Sequence, residues 1–336
     1  MGAKITEIEY VFGRNKISNE DLKKEFPNYD FVNFENKVGI RFRYNVDSNQ
    51  TGLDLAIEAC NKLFLRVDKN NIDYILYCTQ SPEYLLPTTA CILQNRLGLR
   101  KNIGAFDFNL GCSGYTYGLS LAKSLINSTQ AKNVLLVTAE TYSKYLHPSD
   151  RSNRAIFGDA ASCTLITSHN VEYLHEFSFG TDGAGYDKLI IKNGGSKNMC
   201  HPDPVELQYG TDNIYTDNHL YMNGPEVFNF TSQVIPGFTK DILALNAANV
   251  ADVDQFIFHQ ANAFMLNFMR KRIKVDEKRF YVDLMDGGNT VSCTIPIALK
   301  NYSQNISLTQ IQKIVLVGFG VGLSWCGGMV TIDKKL

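Results

Sequence analysis

The stretch Asn109-Leu110-Gly111-Cys112-Ser113-Gly114-Tyr115 joins a β-like segment to a helix-like one. Residues 103–108 before it are mostly apolar, and residues 116–127 after it carry apolar side chains at helical spacing. Cys112 is therefore predicted where a strand turns into a helix, beside glycines that permit a sharp turn. Because a helix start offers unpaired N–H groups and the positive dipole end, we expect a lowered pKa of the Cys112 thiol and a nucleophilic role. The alternative is a small buried cysteine in a glycine turn.

Length and composition restrict the class of protein. The chain has 336 residues, of which 44% are hydrophobic and 20% charged, so a large core can form. A net charge of -1 provides no basic field, and we expect no nucleic-acid partner. The eight cysteines lack a C-x-x-C pair and lie mostly in apolar segments, which indicates reduced thiols and a cytoplasmic location. The six histidines lack metal-binding spacing, and no apolar run reaches the roughly 18 residues of a spanning helix; we expect neither a metal nor a membrane span.

Helical and strand patterns alternate along most of the chain. Short apolar strands are predicted at 74–78, 134–137, 160–166, 255–258, 314–317 and 329–332. This alternation predicts an α/β fold with crossover connections and largely parallel sheets. Because the order of elements repeats, we predict two duplicated βαβαβαββ-type halves, residues 1–170 and 171–336. Residues 168–220 lose the pattern and are predicted to be an insertion or cap, and residues 15–50 are predicted to be irregular.

Three polar residues share one kind of position. Cys112, His259 and Asn289 each follow a strand or a glycine turn and precede a predicted helix. In doubly wound sheets the carboxyl ends of strands bind ligands, and this set supplies one nucleophile and two hydrogen-bond donors. Taken singly, His259 could be a core histidine and Asn289 a helix cap. A papain-like peptidase would lack the strand–helix alternation, and Ser113 does not lie in the G-x-S-x-G pattern of an α/β-hydrolase.

Whole motifs give a more specific indication. The chain resembles β-ketoacyl-ACP synthase III of the thiolase-like superfamily, with matching motifs in the family's order at residues 37–41, 111–114, 150–151, 157–159, 223–228, 259–262, 288–290 and 318–325. The resemblance implies a five-layered αβαβα fold and a homodimer. It also implies acyl transfer from acyl-CoA or acyl-ACP to Cys112, then decarboxylative condensation with malonyl on acyl-carrier protein (ACP). The product would enter fatty-acid initiation or specialised lipid or polyketide synthesis, and no cofactor is expected beyond CoA and ACP thioesters as substrates.

The resemblance also implies roles for individual residues. Cys112 is the acyl acceptor, and His259 and Asn289 are donors to the malonyl thioester oxygen. The resemblance assigns the other residues to four groups. Phe319, Gly320 and Val321 form the active-site wall and oxyanion hole, and Lys37, Arg151 and Asn262 contact CoA and pantetheine. Leu86 closes the acyl pocket of the partner subunit, and Arg270, Lys271 and Arg272 form a patch that binds the carrier protein.

Three positions depart from the family pattern. Asn33 replaces a tryptophan that stacks on adenine, Phe264 replaces an arginine of the carrier-protein site, and Leu86 replaces a phenylalanine. These changes argue against acetyl-CoA as primer and favour a medium or branched acyl chain, or a primer delivered on a carrier. The alternative function is a non-condensing acyltransferase that passes the acyl group to an alcohol or amine, although Asn289 argues against it. The intact Cys-His-Asn set also argues against a catalytically silent subunit.

Overall fold

The computed structural model describes residues 1–305 and 311–336. Within these residues the α-helices are α1 (Asn19–Glu25), α2 (Phe31–Val38), α3 (Gly52–Phe64), α4 (Thr89–Arg96), α5 (Gly114–Asn127), α6 (Arg151–Ile156), α7 (Gly224–Leu245), α8 (Ala263–Ile273) and α9 (Thr294–Asn305). The strands are β1 (Gly2–Phe12), β2 (Asn15–Ser18), β3 (Phe42–Asn45), β4 (Tyr74–Cys78), β5 (Gly104–Phe108), β6 (Asn133–Glu140), β7 (Ala160–His169), β8 (Leu174–Thr181), β9 (Leu189–Ile190), β10 (Leu207–Tyr209), β11 (Asn213–Tyr215), β12 (Tyr221–Met222), β13 (Gln255–Phe258), β14 (Phe280–Tyr281), β15 (Gln312–Gly320) and β16 (Ser324–Ile332).

Two five-stranded sheets have the same topology. The first has the order β1-β7-β6-β4-β5, and the second has the order β8-β16-β15-β13-β14. In each sheet the first two pairings are antiparallel and the last two parallel. The strands of the first sheet lie within residues 1–170 and those of the second within residues 171–336. The matching order supports the predicted duplication.

The helices and sheets form five layers. Helices α3 and α4 pack on the outer face of the first sheet, α5 and α9 lie between the sheets, and α7 and α8 cover the second sheet. Three clusters of buried apolar side chains fill the spaces between the layers: one under α3 and α4, one under α7 and α8, and a central one around α5 and α9. The central cluster joins both sheets through residues such as Leu119 and Leu299. The predicted αβαβα thiolase-like fold is thus confirmed, and both faces of each sheet are covered.

Capping residues fix the helix starts that matter for the site. Thr51 and Asp54 form the reciprocal capping box of α3. Asn262 caps α8, because its side chain accepts a hydrogen bond from the Met265 N–H at 2.8 Å. Helix α5 begins at Gly114, directly after the Cys112 turn. No helix in the described ranges is both long enough and apolar enough to cross a membrane.

Two predicted boundaries need correction. The insertion predicted at 168–220 begins too early, because β7 extends to His169 and β8 forms an edge of the second sheet. An edge strand buries only some of its side chains, so its pattern is weak in sequence. The small two-stranded pairings β9–β12 and β10–β11 lie in the remaining part. Residues 15–50, predicted to be irregular, instead contain the antiparallel strands β2 and β3, and α1 and α2 lie between these strands in the sequence.

Candidate active site

The three predicted catalytic residues line one cavity of about 130 Å³, which we call the catalytic cavity. Cys112 comes from the first half of the chain, and His259 and Asn289 come from the second. Phe319 and Asn262 also line this cavity. The structure therefore brings together residues that are 177 positions apart in sequence (289 minus 112).

The position of Cys112 depends on glycines of β15. A Cβ at Gly320 would lie 2.9 Å from both the Cβ and the Sγ of Cys112, and one at Gly318 would lie 2.7 Å from the Cys112 carbonyl oxygen. Carbon atoms do not tolerate such distances, so β15 can approach the turn only where side chains are absent. Gly111 precedes the nucleophile, and a Cβ added there would lie 2.7 Å from Cγ1 of Val321, so this position also has no room for a side chain.

The predicted lowering of the Cys112 pKa is wrong. Burial, with the charge of Glu140 as the second cause, raises the pKa of the Cys112 thiol to about 12. The backbone N–H groups of Cys112 and Val321 stabilise the thiolate but do not offset the loss of hydration. The unliganded thiol is therefore protonated at neutral pH and needs a base during attack. The same two N–H groups are suited to bind an oxyanion.

His259 is a neutral imidazole held by a threonine. Burial lowers its pKa to about 3. Its Nδ1 lies 2.7 Å from Oγ1 of Thr294, which also lies 3.0 Å from the Val291 carbonyl oxygen. The Thr294 hydroxyl has one proton, so its rotation selects the imidazole tautomer. When the hydroxyl donates to the Val291 carbonyl, its oxygen accepts the Nδ1 proton and Nε2 is an acceptor. When the hydroxyl donates to Nδ1, the imidazole proton lies on Nε2, which is then a donor. Sequence reasoning missed Thr294, whose only signal was its place in the first turn of α9.

Asn289 is oriented by backbone hydrogen bonds from both halves. Its N–H donates to the Ile156 carbonyl at 2.9 Å, and its carbonyl accepts from the Gly158 N–H at 3.0 Å. Its side-chain Oδ1 accepts the Val291 N–H at 2.9 Å. Because the oxygen is already engaged, the Nδ2 group is the part of the amide that can donate within the catalytic cavity.

Phe319 provides an apolar wall beside the histidine. Its ring is 1% exposed, and it meets the His259 ring edge-on with centroids 5.5 Å apart. The neighbouring Gly320 contacts Cys112, and Val321 follows it at the end of β15. The positions of these three residues agree with the predicted wall, and their roles stay predictions.

The residues predicted to contact CoA also contact other residues of the protein. The guanidinium of Arg151 lies 3.6 Å from the ring centroid of Tyr29, and the residue is only 9% exposed. Lys37 lies near the end of α2, with its ammonium 5.3 Å from the Phe264 ring. Asn262 lines the catalytic cavity but uses Oδ1 to cap α8, so Nδ2 is its remaining donor.

The acyl-pocket residue and the basic patch lie outside the catalytic cavity. Leu86 is 82% exposed in this single chain and follows exposed Tyr84 and Leu85. Arg270 donates to the Val275 carbonyl and to the Asn267 side chain, which ties it to the end of α8. Lys271 and Arg272, in contrast, are exposed in the last turn of α8.

Glu140 is a buried acid that sequence reasoning missed. It ends β6 with 0% exposure, and burial raises its pKa to about 8. Its carboxyl accepts hydrogen bonds from Ser292 Oγ at 2.8 Å, Ser81 Oγ at 3.1 Å and the Gln80 N–H at 3.1 Å. Its signal in sequence is an acid that ends an otherwise apolar strand. The carboxyl links the first sheet to the segment that follows Asn289.

Comparisons with known proteins agree with this geometry. The family profile "3-Oxoacyl-[acyl-carrier-protein (ACP)] synthase III" matches residues 106–183, and the profile of the family's C-terminal part matches residues 243–332. A β-ketoacyl-[acyl-carrier-protein] synthase III from Clostridium perfringens is 35% identical over 95% of this chain and 96% of its own length. A putative 3-oxoacyl-[acyl-carrier-protein] synthase 3 from Campylobacter jejuni is 34% identical over 99% and 95%.

Solved structures give the same result. A crystal structure of a 3-oxoacyl-(acyl-carrier-protein) synthase III superimposes with a TM-score of 0.96 at 43% identity, covering 99% of this chain and 100% of the other. A 3-oxoacyl-(acyl-carrier protein) synthase from Burkholderia xenovorans gives 0.89 at 30% identity, covering 100% and 95%. With the fold and the Cys-His-Asn cavity in agreement, the chain belongs to the 3-oxoacyl-[acyl-carrier-protein] synthase III family of condensing acyltransferases.

Proposed function

We propose that this enzyme takes an acyl group from acyl-CoA or acyl-ACP onto Cys112 and condenses it with malonyl-ACP to a 3-oxoacyl thioester. The observation that carries the proposal is the catalytic cavity, which places one buried thiol with a neutral imidazole and a primary amide. A nucleophile and two neutral donors are what acyl transfer followed by enolate formation requires.

In the first step His259 acts as the base. Its neutral Nε2 accepts the Cys112 proton while the sulfur attacks the thioester carbonyl, and the N–H groups of Cys112 and Val321 bind the oxyanion. The bond from the carbonyl carbon to the leaving sulfur then breaks. The leaving thiolate takes up the proton, and the acyl group remains on Cys112.

In the second step the amide and the imidazole act as donors. Rotation of the Thr294 hydroxyl toward Nδ1 leaves the proton on Nε2, so His259 and Asn289 can both donate to the malonyl thioester oxygen. The bond to the carboxylate breaks, CO2 leaves, and the electron pair forms an enolate that attacks the acyl carbonyl. The bond from the acyl carbon to the Cys112 sulfur breaks, and the thiolate takes up one proton from solvent. Phe319 favours loss of the charged carboxylate, because an apolar surface solvates it poorly.

Substrate arms and partners are assigned to the surfaces around the cavity. Asn262 contacts pantetheine through its free Nδ2 group, with Lys37 and Arg151 near the nucleotide end when CoA is the carrier. Exposed Lys271 and Arg272, together with Arg270, attract the acidic surface of a carrier protein. The free thiols, two of them exposed, are compatible with work in the reducing cytoplasm.

We also propose a homodimer formed through the edge of the first sheet. Among the described residues no strand pairs with the outer edge of β5, which ends that sheet, and Phe106 on it is 36% exposed. The nearby stretch Tyr84-Leu85-Leu86 exposes three large apolar side chains. Pairing two copies through β5 would cover this edge and bring Leu86 to the partner's acyl pocket. Sedimentation velocity at micromolar concentration tests the dimer, and a monomer would contradict it.

The function is tested by intact-mass spectrometry in two stages. The protein is first mixed with acyl-CoA thioesters of two to eight carbons, each alone, and we expect one acyl adduct that peptide mapping places on Cys112. Malonyl-ACP is then added, and we expect the adduct to disappear as 3-oxoacyl-ACP and CO2 form. An adduct that is lost only to alcohols or amines would instead identify the non-condensing acyltransferase.

A further inference from the structure

A second cavity of about 320 Å³ adjoins the catalytic cavity, and we call it the side chamber. Tyr142 and Leu189 line both spaces. Val321, whose N–H faces the Cys112 sulfur, lines the side chamber. An acyl group on Cys112 thus has the side chamber as a neighbouring space for its chain.

The wall of the side chamber contains an ordered polar group. The Tyr142 hydroxyl donates to Gln80 Oε1 at 2.5 Å, and Gln80 Nε2 donates to Asn109 Oδ1 at 3.1 Å. The Gln80 N–H is in turn held by the buried carboxyl of Glu140. A Cβ at Gly111 would lie 2.6 Å from Gln80 Oε1, which puts this amide next to the residue that precedes the nucleophile.

The side chains of Gln80 and Asn109 have donors and acceptors that their hydrogen bonds to each other and to Tyr142 do not use. Gln80 Nε2 has a second proton, Oε1 has a second lone pair, and within the described residues no hydrogen bond uses Asn109 Nδ2. The rest of the wall includes the apolar Leu189, Ile191 and Leu220. A fully apolar chain would fill the apolar part but would remove water from the half-buried Gln80 amide without replacing its hydrogen bonds, whereas the exposed Asn109 stays in contact with solvent.

We propose that the side chamber selects a short primer acyl chain that carries a hydroxyl group, which binds the Gln80–Asn109 amide pair. A hydroxyl both donates and accepts, so it can use the free lone pair of Gln80 and the free proton of either amide. The inference rests on the proposed function, since it concerns the acyl group carried by Cys112. It names a chemical class of primer, whereas the prediction from Leu86 concerns only the length and branching of the acyl chain.

The test compares two primers that differ by one oxygen atom. The rate of Cys112 acylation is measured by intact mass with 3-hydroxybutyryl-CoA, as each enantiomer, and with butyryl-CoA. We expect one hydroxy enantiomer to react about tenfold faster than butyryl, the effect of one or two added hydrogen bonds. Gln80→Met keeps the length and the backbone N–H but removes the amide, and it should bring this ratio close to one. Gln208→Met, the same change at an exposed site on β10, should leave the ratio as in the wild type.

The outcomes separate this inference from the function on which it rests. Equal or faster acylation by butyryl-CoA in the wild type, or a ratio that survives Gln80→Met, would overturn the hydroxyl preference and leave the condensing function intact. No Cys112 adduct from any of these primers, offered on CoA and on ACP, would overturn the proposed function and this inference with it. Tyr142→Phe, which removes the donor that orients Gln80, provides a second variant if Gln80→Met does not fold, and it should lower the ratio less.

Discussion

The two halves of the molecule share one topology but hold different groups at their equivalent turns. The turn before α5 carries the thiol of Cys112, and the turn before α9 carries the amide of Asn289. Each turn is fixed by the opposite half: Gly320 of the second half contacts Cys112, and the Ile156 carbonyl of the first half accepts the Asn289 N–H. The catalytic cavity therefore exists only where the two halves meet.

The kind of contact at each turn follows from the chemistry of its side chain. A thiol is a weak hydrogen-bonding group, so Cys112 can be packed against the bare backbone of Gly320 without a strong partner. A buried amide left without partners is costly, so Asn289 needs the Val291 N–H for its oxygen. One topological position thus yields a nucleophile in the first half and an oriented donor in the second.

The largest expected effect comes from removing the thiol. Cys112→Ala should form no acyl adduct with any primer, while its melting temperature stays near that of the wild type, because one small buried side chain replaces another. Cys91→Ala, at an exposed cysteine on α4, is the matched control and should acylate normally. A stoichiometric adduct on another cysteine of Cys112→Ala would contradict the assignment.

The next largest effect should show that Asn289 of the second half acts only in condensation, after Cys112 of the first half has been acylated. Asn289→Ala should still accept an acyl group on Cys112, but its condensation with malonyl-ACP should be roughly 10²-fold slower or more, as for loss of one oxyanion donor. His259→Ala should slow both steps, because the imidazole is also the base for a thiol of raised pKa. Single-turnover acylation and condensation are measured separately. Equal losses in both steps for Asn289→Ala would show that the amide serves the thiol instead.

Sequence reasoning selected candidate residues from local context, and the family resemblance implied their roles. Cys112, His259 and Asn289 stand at strand or turn ends, and such positions are visible in periodicity and glycine placement. The pKa of Cys112 was not predictable in this way, because its burial depends on β15, about 200 residues later in the chain. Glu140 and Thr294 were missed for the same reason, since their partners come from distant segments. Edge strand β8 was missed because exposure weakened its pattern.

A smaller effect should follow from filling the contact between the halves. Gly320→Ala adds a methyl group 2.9 Å from the Cys112 sulfur, so we expect a loss of about 1–3 kcal/mol in unfolding free energy and slower acylation. Gly237→Ala is the control, since Gly237 lies on the exposed face of α7 and its added Cβ meets nothing within 4 Å. That change should stabilise the protein by about 0.5–1 kcal/mol. Urea unfolding measures the free energy of unfolding of both variants. Equal values would show that β15 moves to accommodate the methyl group without a loss of stability.

The last prediction concerns the pH dependence of stability and Glu140, the buried acid that connects Gln80 and Ser81 with Ser292. Its folded-state pKa is about 8 against an ordinary 4.5, so between these pH values the folded protein keeps a proton that the unfolded chain has released. Stability from this group is complete below about pH 4.5 and falls as the pH rises toward 8. Glu140→Gln is uncharged at every pH and should remove that part of the slope.

Thermal or urea unfolding of the wild type and Glu140→Gln at pH 5.5 and pH 8.5 isolates this slope, because the other buried acids contribute equally to both proteins. We expect the variant to gain stability relative to the wild type on going to pH 8.5. A parallel pH dependence in the two proteins would mean that the three hydrogen bonds to Glu140 hold its carboxylate charged in the core. In that case the charge, and not burial alone, would be the reason that the Cys112 thiol in the first half resists ionisation.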